Sequence, residues 1–256
     1  MNIKYTIGSI IAIPLLPFLY LQGKRIKRNI PDLPEASGDT GFCTANNKES
    51  LRLLTIGEST IAGVGVDTHE EGFSGTLAKE ISQKLDVDVY WKVYAKSGYT
   101  AKQVNEQIID NIEDKSADLI VIGLGGNDAF QLNRPKKWKK AIRLIIKNLK
   151  LKFTNTPIVF INMPPIKDFP VFTLLARMIL GNYVNILGEE LNNVVKTYDK
   201  VYYISNIMKA KDMAARISNS VKPSDMFSDG VHPSKMAYQI WARDVAEYII
   251  KTIPNP

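Results

Sequence analysis

The chain has 256 residues, 45% of them hydrophobic and 23% charged, with 33 Lys and Arg against 26 Asp and Glu for a net charge of +7. That is enough chain for one substantial domain with its own core, and the composition is too ordinary for a disordered or fibrous protein. A single Cys excludes an intrachain disulfide framework and Cys-rich zinc or iron–sulfur sites, and two His exclude the usual His-cluster metal sites, so no metal and no organic cofactor is expected.

Residues 5–21 are 17 in a row without a charge, and Lys24, Arg25, Lys27 and Arg28 follow at once. The run is short for a spanning helix of about 20 residues, and Pro14 and Pro17 would kink it. A cleavable signal peptide fits less well than an uncleaved anchor, because only Lys4 precedes the run and a basic cluster, not a small-residue site, ends it. Cys43 lies too far beyond the run to carry a lipid. The basic flank favours a body on the cytoplasmic side of a membrane, with the extracytoplasmic side as the alternative. Residues 29–50 hold Pro31, Pro34, Gly38 and Gly41 without apolar periodicity and read as linker. The expected division is an anchor over residues 1–23, a basic and polar linker over 24–50, and one domain over 51–256.

In that domain five apolar, β-rich runs (51–56, 87–94, 119–123, 158–162 and 201–204) alternate with amphipathic stretches (73–85, 101–112, 135–149 and 172–195), and a last helix spans 233–250. This alternation predicts a three-layer α/β/α sandwich on a parallel sheet, because each crossover must return over a face of the sheet. Ligands in such folds sit at the carboxyl ends of the strands, so the loops after the strands are where chemistry is sought. The charge is equally local. Nine bases and no acid lie between Ala129 and Ile166, and the rest of the chain is close to neutral. Trp138, Ile142, Ile145 and Leu149 share one helical face there and the bases occupy the others. A solvated helix face explains the stripe; an anionic membrane surface is its sharper use. Nucleic acid binding has no motif to support it.

After the first strand comes Gly57-Glu58-Ser59, which has neither the Gly-Lys-Ser/Thr ending of a P-loop nor the G-x-S-x-G elbow of an α/β-hydrolase. Ser59 can be a helix cap or a nucleophile. After the second strand, Gly98 can be a turn residue or a backbone N–H donor to a ligand. After the third, Gly125-Gly126-Asn127-Asp128 serves a turn, or aims an amide at an oxyanion. Before the last helix, Asp229 and His232 stand three apart, close enough for the carboxylate to hold one imidazole nitrogen while the other faces a serine. His69, among Asp67, Glu70 and Glu71, is expected in a solvated loop.

Taken in order, these four blocks resemble the SGNH, or GDSL, hydrolase family over about residues 51–250. The resemblance implies a flavodoxin-like five-stranded parallel sheet. It also implies Ser59 as nucleophile, His232 as general base and then acid, and Asp229 as its orienting group. The oxyanion would be held by the backbone N–H groups of Ser59 and Gly98 and the side-chain amide of Asn127. Glu58 stands where the family commonly has Asp, and is expected to support the loop without taking part in the chemistry. The implied activity is hydrolysis of carboxylic esters, with a small-molecule or lipid ester as substrate. The apolar stretch 169–181 leaves the catalytic edge and is expected to line an acyl pocket, dip into lipid or lie buried under loops. An O-acetyl carbohydrate esterase, a thioesterase or lysophospholipase, and a non-catalytic domain of the same fold are the alternatives.

Overall fold

The computed structural model describes residues 5–6, 13–29, 31–46 and 49–254. Among the described residues six strands form one sheet: β1 Thr40–Cys43, β2 Ser50–Gly57, β3 Asp88–Ala95, β4 Leu119–Gly123, β5 Ile158–Phe160 and β6 Val201–Tyr203, in the order β1-β3-β2-β4-β5-β6. Strands β2 to β6 are parallel, in the flavodoxin-like order expected. The sheet as a whole is mixed and six-stranded, because β1 adds antiparallel to β3. That strand lies in the stretch expected as linker, and short-range pattern could not reveal it. Its sequence, Thr-Gly-Phe-Cys, has no alternation of apolar with polar residues, and it is held by the distant Trp91, whose ring would come within 2.2 Å of a Cβ placed on Gly41. Further ties are Val93 N–H to the Asp39 carbonyl at 2.7 Å and Ala45 N–H to the Asp88 carboxylate at 2.7 Å.

Within the parallel strands successive side chains enter opposite layers. Leu54 and Ile56 of β2 join Ile120 and Ile122 of β4 on one side, and Leu51 and Leu53 join Leu119 and Val121 on the other. Both faces are buried, which is why the strands read as continuous apolar runs. The first layer is closed by a composite helical segment at residues 101–111, by α4 (Pro135–Lys152) and by α5 (Leu174–Val195). The second is closed by α2 (Phe73–Leu85), α6 (Ala210–Ile217) and α7 (Lys235–Thr252). Trp138, Ile142, Ile145 and Leu149 of α4 are all at most 1% exposed, so the basic stripe is the outer side of a helix whose apolar side covers the sheet. Each such aliphatic side chain contributes about 1.5–3 kcal/mol on burial.

The expected helix at 101–112 is a broken one, α over Ala101–Gln103, π over Val104–Ile108 and 3-10 over Ile109–Asn111. A short α3, Gly126–Phe130, occupies what reads as a Gly-Asn-Asp turn. At the N-terminus α1 spans Leu16–Asn29 and crosses the boundary expected between anchor and linker. Residues 7–12 of the apolar run lie outside the described residues. Among the described residues no helix is long and apolar enough to cross a membrane.

Candidate active site

All the loops singled out in the sequence meet at the carboxyl edge of the sheet. Residues 58–65 leave β2 as a series of turns in which the Glu58 carbonyl accepts from the N–H groups of both Ile61 and Ala62, at 2.9 Å each. Ser59 therefore begins a helical turn directly off the strand. Among the described residues its hydroxyl and backbone N–H have no hydrogen-bond partner, and they remain available to a ligand. Gly98 sits at φ +83° with open space where a Cβ would be, so a side chain here would be strained and would crowd an incoming group. Its N–H is likewise unengaged, while the preceding Ser97 N–H donates to Glu35 at 2.6 Å.

Asp229 and His232 lie in a loop closed by the Ser228 N–H to His232 carbonyl bond at 2.8 Å and by a Phe227–Pro233 bridge. One oxygen of Asp229 accepts the N–H groups of Val231 and His232 at 2.9 and 2.8 Å, and the other meets His232 Nδ1 at 2.7 Å. A carboxylate can only accept, so Nδ1 carries the proton and Nε2 presents a lone pair. The Asp229 side chain is 1% exposed. Burial pushes its carboxyl upward, but the ring and backbone N–H groups of His232 and Val231 outweigh that and hold it below the ordinary carboxylate range.

Asn127 is placed by α3. Gly125 precedes that helix at φ +124°, with Met163 so close that a Cβ would come within 2.5 Å. The Asn127 amide is engaged on both hydrogens, one bound to Glu58 Oε2 at 2.8 Å and one to the Tyr99 carbonyl at 3.2 Å. Glu58 also accepts the N–H groups of Gly126 at 2.7 Å and Asn127 at 3.0 Å. The expected support of the loop by Glu58 is thus specific: it fixes the side chain whose amide would meet an oxyanion. The group is 4% exposed, and burial, opposed by those three hydrogen bonds, pushes it up to about 7. Behind it Asp128 caps the next element, accepting from Ala101 N–H at 2.8 Å and Asn133 Nδ2 at 2.9 Å.

Ser59, Gly98, Asn127, Asp229 and His232 all line one cavity of about 970 Å³, at the upper end of the ~300–1,000 Å³ usual for small-molecule sites. No hydrogen bond joins the Ser59 hydroxyl to His232; such catalytic bonds commonly tighten only around substrate. The stretch 169–181 divides its side chains. Phe169, Phe172, Ala176 and Leu180 line the cavity, and Leu174 and Met178 are 73% and 54% exposed. His69 is the residue whose setting departs most from expectation. It is 5% exposed, packed beside Gly63 and bonded through its N–H to the Ser37 carbonyl at 2.9 Å, because residues 35–39 fold back over the loop that holds it. Glu35 carries no motif, and only its two bonds, to Ser97 N–H and to Lys96 Nζ at 2.9 Å, reveal its place at the site.

Solved structures of similar fold include a lipase, Lip_vut3, from a goat rumen metagenome (20% identity, 77% of this chain and 98% of that one, TM-score 0.57). A family 3 carbohydrate esterase of Clostridium thermocellum is similar as well (15% identity, 79% and 96%, TM-score 0.56). In sequence the chain is 33% identical over 86 residues to the spore germination lipase LipC of Bacillus licheniformis. That match covers 32% of this chain and spans 40% of the length of the relative. The model of the GDSL-like lipase/acylhydrolase family matches residues 55–240, a span that takes in Ser59, Gly98, Asn127 and the Asp229–His232 loop. The chain belongs to that family.

Proposed function

We propose that the protein cleaves acyl or lipid-like carboxylic esters through an acyl-enzyme on Ser59. The observation that carries the reading is the convergence of Ser59, Gly98, Asn127 and His232 on one cavity, with His232 held at 2.7 Å by Asp229. The Ser59 oxygen attacks the carbonyl carbon as its proton passes to His232 Nε2. The carbonyl oxygen, now negative, is met by the free N–H groups of Ser59 and Gly98. Asn127 joins them by exchanging its longer bond, the one to the Tyr99 carbonyl, while Glu58 keeps hold of the other amide hydrogen. The carbon–oxygen bond to the alcohol breaks, and the alcohol leaves with the proton from His232. Water, deprotonated by the same nitrogen, then releases the acid and restores Ser59.

An acyl substrate is favoured over an acetylated sugar by the apolar side chains of Phe169, Phe172 and Leu180 on the cavity wall. A series of p-nitrophenyl esters of rising chain length tests this, and kcat/KM should climb well beyond acetate. A profile with no preference beyond acetate, together with release of acetate from an acetylated glycan, would replace it with an O-acetyl carbohydrate esterase. The uncharged run at residues 5–21 and the bases that follow support a chain held at a membrane surface, with its body on the cytoplasmic side.

A further inference from the structure

The family match begins at residue 55, yet the cavity does not end there. Leu19, Tyr20 and Gly23 of α1, and Pro31 and Leu33 after it, line the same cavity as Ser59 and His232. The segment is tied down at three points along its length. Gln22 Oε1 accepts the hydroxyl proton of Thr173, the N-cap of α5, at 3.0 Å. Glu35 holds Ser97 N–H beside Gly98. Beyond it β1 is hydrogen-bonded into the sheet.

We propose that α1 is the roof of the acyl site, and that Leu19 sets how long an acyl chain the enzyme prefers. This rests on the acyl-ester reading above and deepens it, naming long-chain acyl esters as the substrate class. A chain bound through its carbonyl at Ser59 has apolar surface on the α5 side, from Phe172 and Leu180, and needs a second apolar side to leave water. Leu19, which lines the same cavity from α1, supplies it. Neighbouring Phe18 and Leu21 are 72% and 65% exposed, and Lys24 lines the cavity at the helix's basic end. The roof is therefore apolar where a chain would run and cationic towards its edge. Each methylene buried between the two walls should raise kcat/KM by about fourfold, until the cavity is filled.

The test is a chain-length series from acetate to dodecanoate on the full chain and on Leu19→Asp and Leu19→Trp. Leu19 lies on a surface helix outside the sheet core, so both variants should fold. Leu19→Asp should lose about tenfold or more in kcat/KM on dodecanoate, through the lost apolar contact, and distinctly less on acetate. Leu19→Trp should move the optimum to shorter chains by filling the cavity. A dodecanoate rate unchanged or raised in Leu19→Asp, or a fall equal for acetate and dodecanoate, would overturn the roof. Failure of the parent to hydrolyse any of these esters would instead overturn the ester reading on which the roof rests.

Discussion

The two walls of the cavity are built on different principles. One is made of short loops, at the ends of parallel strands and before the last helix, and its polar groups are fixed by bonds within a loop, Asp229 to His232, or between neighbouring strand ends, Glu58 to Asn127. The other is an amphipathic helix that lies outside the sheet and lines the cavity, its segment held to the domain by Gln22 with Thr173 and Glu35 with Ser97. Reaction chemistry demands sub-ångström placement, and a strand end gives it. Selection among acyl chains needs only apolar area, which a docked helix provides and which can vary without disturbing the chemistry.

If this division is right, changes in the first wall act on turnover of every ester. Ser59→Ala should have the largest effect, a fall of about 10⁴- to 10⁶-fold in kcat, with a far-ultraviolet spectrum like the parent's. Asp229→Asn should follow, at about 10⁴-fold. The remaining oxygen can still accept the Val231 and His232 N–H groups, so the loop folds, but the new amide faces Nδ1 with a donor and imposes the wrong tautomer. Asn127→Ala should cost about 10²- to 10³-fold in kcat with KM little changed, as expected for a donor that acts on the oxyanion alone. An effect confined to long-chain esters in any of these three would blur the distinction between the walls.

Glu58→Gln should be smallest, about tenfold in kcat at pH 8, because it removes an acceptor that orients Asn127 without touching substrate. The difference should narrow below about pH 7, where Glu58 is itself protonated and presents a carboxyl like the amide of Gln. Stability carries the same signature. A carboxyl raised to about 7 stabilises the fold fully below the ordinary carboxylate range, and that contribution is lost as pH rises through 7. Denaturant unfolding should show the parent losing up to about 3 kcal/mol more than Glu58→Gln between about pH 4 and pH 8.

The first wall was legible in the sequence and the second was not. Gly57-x-Ser59, Gly98, Gly125-x-Asn127 and Asp229-x-x-His232 are local patterns in which a strand end, a turn residue and a reactive group lie within a few positions. The central strands were equally plain, β4 to the residue, because burial on both faces makes them continuously apolar. Strand β1 is not legible because its pairing depends on Trp91, nor is the burial of His69, which depends on residues 35–39 returning over a loop whose own composition is polar. The short α3 looks like a turn from its Gly-Asn-Asp sequence. Glu58 could be placed as a supporting residue, but that it grips the Asn127 amide emerges only once the β2 and β4 ends are side by side.

The central claim is that Ser59 is the nucleophile, activated by His232. Its most direct test is intact-mass and peptide analysis of the protein after treatment with an alkyl fluorophosphonate. The account predicts a single adduct on Ser59, absent in Ser59→Ala and strongly slowed in Asp229→Asn. An unlabelled parent, or an adduct on another residue, would contradict it.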